Sequence, residues 1–273
     1  MRTIGWLILS LLLAASRLQT PAPTADPVAT PPNSKVWIGH YEEYEKFLLT
    51  AEIDQVKDFK TGVTGHTKHV FFKPGGLAPE GAMRDQAPGR YEGYFESYQH
   101  EAAAYKMDRL LQLDMVPPTV ERMYDRKKIT LQLVVLNVKM LKEVNEKRLH
   151  APDPERWNYQ LHRAYVFDDL VGNIDENAGN MMFDPEWNFI KVDCSRCFTD
   201  TRAQPFEIGK RFMQIDRPFF DRVKALDKDT VKREIGNLVQ GGTVEALFGR
   251  RDDIVKAFEK LAKQKGQDAV FVP

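Results

Sequence analysis

The sequence is short of cysteine and has no excess of either charge, and each shortage narrows what the chain can be. Its 273 residues contain two cysteines, Cys194 and Cys197. A single C-x-x-C without a second pair argues against zinc, and the six histidines form no H-E-x-x-H pattern. Basic and acidic residues both number 39, so the formal net charge is zero and nothing favours a nucleic-acid partner, which needs a basic face. Neither a Walker A sequence nor G-x-G-x-x-G occurs, and there is no internal repeat. The apolar run Ile4–Ala15 is shorter than the ~20 residues of a comfortable membrane span. Behind Arg2, and ending in Ala14, Ala15 and Ser16, it has the shape of a signal peptide. We therefore expect a signal peptide over 1–20, with an N-terminal anchor as the weaker reading, and an exported domain. No cysteine follows the run, which argues against a bacterial lipoprotein anchor. A Pro/Ala/Thr linker over 21–35 has nothing to bury.

After the linker, Tyr41, Tyr44, Phe47 and Leu48 predict a short amphipathic helix within Val36–Leu49. Ala51–Phe59 and His69–Lys73 read as strands. Gly62 and Gly65 lie in the loop between them, either laying backbone N–H groups over phosphates or making a plain hairpin turn. Lys73 closes the second strand. It needs an anionic partner if buried, and otherwise sits at the strand's wet end. Gly75–Gly89, rich in Gly, Pro and Ala, reads as an exposed loop. Phe95–Leu113 is a helix with Glu101 near its start, broken by Pro117 and Pro118. Val120–Arg122 and Ile129–Val138 are strands, and Leu141–Trp157 a connection with a short helix. Asn158–Val171 is a helix, and Pro218–Leu226, Asp229–Gln240, Thr243–Phe248 and Arg251–Lys265 form a helical tail.

The stretch Leu161–Phe198 concentrates side chains able to bind a metal. Asp175 and Asn180 have four residues between them, the D-x-x-x-x-N spacing of a kinase catalytic loop. A turn at Asp184-Pro185 and the β-rich run Trp187–Val192 then predict a hairpin that returns Asp193 beside Asn180. The carboxylate and the amide oxygen would share Mg²⁺, which prefers hard oxygen ligands. The alternative is that Asp175, Asn177 and Asn180 are loop polars chosen for turns.

Several of these segments resemble one family. Glu101-Ala-Ala-Ala-Tyr-Lys-Met-Asp-Arg-Leu-Leu followed by Met115-Val-Pro-Pro-Thr119 is similar to the helix and exit of type II phosphatidylinositol 4-kinases, and so is Phe72-Lys73-Pro74. Asn173-Ile-Asp175 through Asn180, then Ile190-Lys-Val-Asp193, resembles the catalytic and metal-binding loops of that phosphatidylinositol 3-/4-kinase-like superfamily. It also includes HipA-like and secretory-pathway kinases, and exported bacterial members of unknown substrate look nearest. The resemblance implies an α+β, two-lobed protein-kinase-like fold, with a small mixed N-lobe over 36–138, a mainly helical C-lobe over 139–273, and Mg-ATP in the cleft, Mn²⁺ being an alternative metal. It implies that Lys73 holds the ATP phosphates and pairs with Glu101 facing Asp193, that Gly62 and Gly65 contact the nucleotide, that Asp175 is catalytic, and that Asn180 and Asp193 hold the metal. The implied function is an exported kinase acting on an unidentified protein, lipid or small-molecule acceptor. Membrane contact would come only through an uncleaved N-terminus.

Glu176 stands where that family usually has an arginine after the catalytic aspartate, so either a phosphate contact is lost or another cation supplies it. This residue supports an alternative, a nucleotide-binding pseudokinase or scaffold. A lesser alternative is a thiol redox protein using Cys194 and Cys197, which in an exported chain form a local disulfide or remain two small buried thiols.

Overall fold

The computed structural model describes residues 35–59, 67–91, 93–201, 208–210 and 212–273. The expected signal peptide, the linker up to residue 34, and Gly62 and Gly65 lie outside the described residues.

The N-terminal part begins with α1 (Tyr41–Thr50), which buries Tyr44 and Leu48. Strands β1 (Ile53–Asp58), β2 (Thr67–Phe72) and β3 (Glu80–Arg84) follow, then the small hairpin β4 (Gly89–Tyr91) and β5 (Tyr94–Glu96). Helix α2 (Gln99–Leu111) precedes β6 (Thr119–Tyr124) and β7 (Lys127–Leu133). Five of these strands form one antiparallel sheet in the order β1-β2-β3-β7-β6. Strand β7 is covered on both faces. Ile129, Leu131 and Leu133 enter the N-terminal core, while Thr130 donates to the Tyr98 carbonyl and Gln132 to the Thr119 hydroxyl. Each inward polar group thus has a partner, as burial demands.

Strand β3 corrects the sequence reading, because it lies inside the segment Gly75–Gly89 expected to be an exposed loop. Gly81 and Ala82 are poor strand formers, but neighbours decide here rather than propensity. A Cβ on Gly81 would lie 3.0 Å from Phe72 and 3.1 Å from Leu131, so the small residue lets three strands pack closely. The first turns expected of the next helix are likewise β5, and α2 starts at Gln99.

The C-terminal part opens with β8 (Lys139–Met140) and α3 (Leu141–Glu146). Helix α4 (Pro154–Val171) starts where Asp153 accepts from the Glu155 and Arg156 N–H groups with Pro154 in the first turn, and it stops at Gly172 in the left-handed region. Strands β9 (Met181–Phe183) and β10 (Phe189–Lys191) form the expected hairpin and add β8 as a third strand. Then come β11 (Ile215–Asp216), α5 (Arg217–Lys224), α6 (Lys228–Ile235), α7 (Thr243–Lys265), α8 (Gln267–Val270) and β12 (Phe271–Val272). Helix α7 runs unbroken through Gly249, where two helices were expected, because Leu247, Phe248, Ile254 and Phe258 bury one continuous stripe against α4, α5 and α6. Among the described residues no helix is long and apolar enough to cross a membrane.

Two hydrophobic cores result, one under the five-stranded sheet and one among the helices. The hairpin lies at their seam, since Phe189 belongs to the helical core and its neighbour Ile190 to the sheet core. The chain is thus an α+β protein with a small mixed lobe and a mainly helical one.

Candidate active site

The loop between α4 and the hairpin is held by a buried ion pair. Lys191 Nζ lies 2.8 Å from Asp168 Oδ1 and 3.0 Å from Oδ2, and both side chains are buried. Asp168 also accepts from Asn173 Nδ2 at 2.9 Å, and Asn173 Oδ1 accepts from the Asp175 N–H at 3.0 Å. One carboxylate therefore ties the end of α4, the loop and β10 together. Removing one partner of such a pair leaves a buried charge uncompensated. Lys191→Met should cost about 3–5 kcal/mol, read as a lower urea midpoint at unchanged m-value.

Gly172 is required at the turn itself. Its φ is +64°, and a Cβ there would lie 2.7 Å from both Arg250 Cζ and Thr199 Oγ1. Beyond it, Asn177 Nδ2 donates to Asp175 Oδ1 at 3.2 Å, and Asn180 Nδ2 to the Asp175 carbonyl at 3.4 Å. The Val192 N–H donates to the Asn180 carbonyl at 3.1 Å, so the hairpin returns Asp193 next to Asn180.

At Asp193 the sheet, α2 and the hairpin meet. Arg84, at the end of β3, places Nε 3.0 Å from Glu101 Oε1 and Nη2 2.8 Å from Asp193 Oδ2. The Cys194 N–H donates to both Glu101 oxygens, at 3.0 and 3.1 Å. Ser195 Oγ donates to Asp193 Oδ1 at 3.0 Å, and Asp193 itself has φ +60°. Burial pushes the Glu101 carboxyl up, and Arg84 offsets this only in part. Burial acts on Asp193 in the same direction, but there the Arg84 guanidinium and the Ser195 hydrogen bonds win and hold the carboxyl below the usual range.

Lys73 is not part of this cluster, which corrects the expected Lys73–Glu101 pair. Its amine lies 2.5 Å from Glu52, and both side chains are exposed. Arg84 faces Thr67 in the β2–β3 ladder, whereas Lys73 lies beyond Phe72 at the other end of β2. Six residues at ~3.3 Å each separate the two positions by ~20 Å along the strand. A reading that rests on Lys73 as the phosphate-binding cation fails on this geometry. The cause is the missed strand: with β3 read as loop, the lysine of the preceding strand stood in for the residue that meets Glu101. In kinases a strand lysine forms that pair, within a V-A-I-K pattern. Ala82-Met83-Arg84 has the same period of two, with arginine as the cation.

A second guanidinium flanks Asp175. Arg196 places Nε 2.7 Å and Nη2 2.6 Å from Glu96 Oε1, while Nη1 lies 3.5 Å from Asp175 Oδ2. Its Cζ is 4.8 Å from the centroid of the Tyr94 ring. Arg196 sits between Cys194 and Cys197, which are buried and joined by a disulfide. The bridge follows a hairpin rather than a strand-to-helix junction, and neither sulfur faces solvent as a redox motif would require.

The cluster has four carboxyl groups, Glu96, Glu101, Asp175 and Asp193, against the two guanidiniums of Arg84 and Arg196, a formal surplus of two negative charges. A divalent cation matches that surplus. Among the described residues no group of three or more His, Cys, Asp or Glu converges to hold one unaided. The hard oxygen donors that would serve an ion completing its shell with water and phosphate are the Asp193 carboxylate, now paired with Arg84 and Ser195, and the Asn180 amide oxygen. Two cavities, of about 450 and 510 Å³, lie elsewhere, one beside Arg156 and Arg163 and one between α1, α2 and β6. Neither is lined by Arg84, Asp175 or Asp193.

Sequence reasoning missed Arg84, Arg196 and Glu96. For Arg84 a signal existed in the alternation of Ala82 and Arg84 around Met83. For Arg196 the only signal was a cation enclosed by the cysteine pair.

No protein-family model matches this chain, and no curated protein matches its sequence. Solved structures do match. A Golgi casein kinase is similar with a TM-score of 0.61 and 13% identity, over 85% of this chain and 79% of that one. The Golgi casein kinase with Mn and ADP bound gives a TM-score of 0.60 at 13% identity, over 85% and 78%. Hydra Fam20, solved with sugar, gives 0.63 and 16%, over 85% and 93%. The Helicobacter pylori proinflammatory kinase CtkA gives 0.54 and 15%, over 81% and 98%. At these identities the likeness is one of fold, and it supports the atypical-kinase part of the resemblance rather than a phosphatidylinositol kinase in particular. The lobes, their order and these likenesses together give the chain the two-lobed fold of the atypical kinases.

Proposed function

We propose that this chain is an exported atypical kinase that transfers the terminal phosphoryl group of ATP, bound with Mg²⁺ or Mn²⁺, to a protein, lipid or small-molecule hydroxyl. Its motifs associate it with the phosphatidylinositol 3-/4-kinase-like superfamily in the broad sense that includes secretory-pathway kinases. One observation carries the reading: Arg84, Glu101 and Asp193 converge from three elements beside a loop bearing Asp175 and Asn180. The ADP and Mn of a structural neighbour agree with it, and so does the disulfide, which an oxidising compartment preserves.

Phosphoryl transfer asks a protein mainly for positioning and charge neutralisation. Arg84, always charged and braced by two carboxylates, would offer its remaining N–H groups to the nucleotide phosphates. Asp193 and Asn180 would hold a divalent cation, which would neutralise charge on the phosphate oxygens. Asp175 orients the acceptor hydroxyl and takes its proton as the acceptor oxygen bonds to the γ-phosphorus and the bond from phosphorus to the ADP oxygen breaks.

A second reading, nucleotide binding without transfer, draws on Glu176 and on arginine in the lysine position. Thermal shift with ATP, with and without Mg²⁺ or Mn²⁺, followed by mass detection of transferred groups, separates the two. Binding with transfer supports the kinase. Binding without transfer establishes the scaffold, and absence of binding with either cation overturns both.

A further inference from the structure

We propose that Arg196 is the positioning residue for Asp175, and that the Cys194–Cys197 loop is the device that presents it. The proposal rests on the kinase reading.

The residue directly after Asp175 is acidic, and the cation that lies beside Asp175 comes from elsewhere in the chain. Arg196 comes from the opposite side, out of the turn that follows Asp193. Its planar fork is rigid, so two N–H groups fixed on Glu96 also fix the direction of the third. That third arm, Nη1, lies 3.5 Å from Asp175 Oδ2, a charge contact rather than a short hydrogen bond. The contact leaves the Oδ2 lone pairs available to an acceptor proton, while Asn177 Nδ2 occupies Oδ1 at 3.2 Å. The Tyr94 ring lies beneath the guanidinium, 4.8 Å from Cζ to the ring centroid, in a cation–π contact.

The backbone is tied as closely as the side chain. The Ile174 N–H points at the Arg196 carbonyl at 3.5 Å, which links the residue before Asp175 to the turn. The Cys197 N–H donates to the Cys194 carbonyl at 2.9 Å, and the disulfide closes the same four-residue turn, so the Cα of Arg196 has little freedom. On the other side the Ser195 carbonyl accepts from the Ser97 N–H at 3.1 Å and from the His100 ring at 3.0 Å. Burial pushes the His100 pKa down to about 4, so the ring is uncharged near neutral pH and adds no competing charge. A purely structural arginine would need only Glu96. The third arm, aimed at the carboxylate that takes the proton, is what a positioning role adds.

The test measures ATP turnover to ADP, with Mg²⁺ or Mn²⁺, for wild type, Arg196→Ala and Arg196→Lys, each with a thermal unfolding curve. Arg196→Ala should lower kcat about 10²-fold, the loss expected when a reacting group is misplaced by about 1 Å. KM for ATP should stay within about twofold, since uniform binding is untouched. Arg196→Lys should recover only part of kcat, and added guanidinium ion should partly restore Arg196→Ala without restoring a lowered Tm. Unchanged kcat in Arg196→Ala, or a loss that follows Tm and ignores guanidinium, overturns the positioning role and leaves the kinase standing. If Arg196→Ala does not fold, Arg196→Lys decides at wild-type Tm: reduced kcat at constant KM supports the role, and unchanged kcat overturns it. A wild-type chain that binds ATP but never turns it over overturns the kinase reading and the Arg196 role with it.

Discussion

Asp175→Ala is expected to leave nucleotide binding nearly intact while phosphoryl transfer falls about 10²- to 10⁴-fold, the usual loss for a general base. Asp175 is one-third exposed and makes no contact with Arg84, which pairs with Glu101 and Asp193, so that pairing survives its removal. A group that orients the attacking hydroxyl acts mainly in the transition state, so the loss should appear in kcat rather than in affinity. The fold should survive too, because Asp168, Asn173 and Lys191 brace the loop without the Asp175 side chain. Equal turnover in wild type and variant would refute the assignment. Glu176→Arg provides a companion measurement. It should raise activity in an attenuated kinase and change nothing in a dedicated scaffold.

Asp193→Ala should do the reverse, weakening metal-dependent ATP binding by at least about 10- to 100-fold, the loss seen when even the groups supporting a metal ligand are removed. The variant loses the carboxylate proposed to hold the cation and also frees one arm of Arg84. Binding of ATP without a divalent cation should change little or even improve, because a negative charge facing the phosphates has gone. The thermal shift that Mg²⁺ or Mn²⁺ adds to ATP should therefore vanish in Asp193→Ala and persist in Asp175→Ala. Asp193→Asn separates charge from shape, since the amide keeps an oxygen for the cation and a partner for Ser195. Unchanged Mg-ATP affinity in Asp193→Ala would sink the metal assignment.

Several features of the site were legible because they are local. Asp175 and Asn180 share one loop, the Asp184-Pro185 turn sends the chain back, and Phe189-Ile190-Lys191 alternates between two cores, so the return of Asp193 to Asn180 needs only short-range geometry. Helix α4 announces itself through Asp153, Pro154 and Gly172, and α2 through its alanines. Lys73 shows where such reasoning breaks down. A lysine closing an apolar strand is an equally good sequence candidate whether it enters the cleft or faces water, and the structure places it in water beside Glu52.

By itself the sequence determined the hairpin, the capped helices and the residue types gathered at the seam, since each depends on neighbours a few positions away. Only the tertiary structure decided which cations meet which carboxylates. Strand β3 exists because β2 and β7 pair with it on both sides and a glycine lets Phe72 and Leu131 close over it, so Arg84 rather than Lys73 reaches Glu101. Arg196 meets Glu96 across 100 residues of chain, and no local pattern encodes such a pairing. An ion pair between distant segments is fixed by the packing that brings them within about 3 Å, and that packing is a property of the whole core.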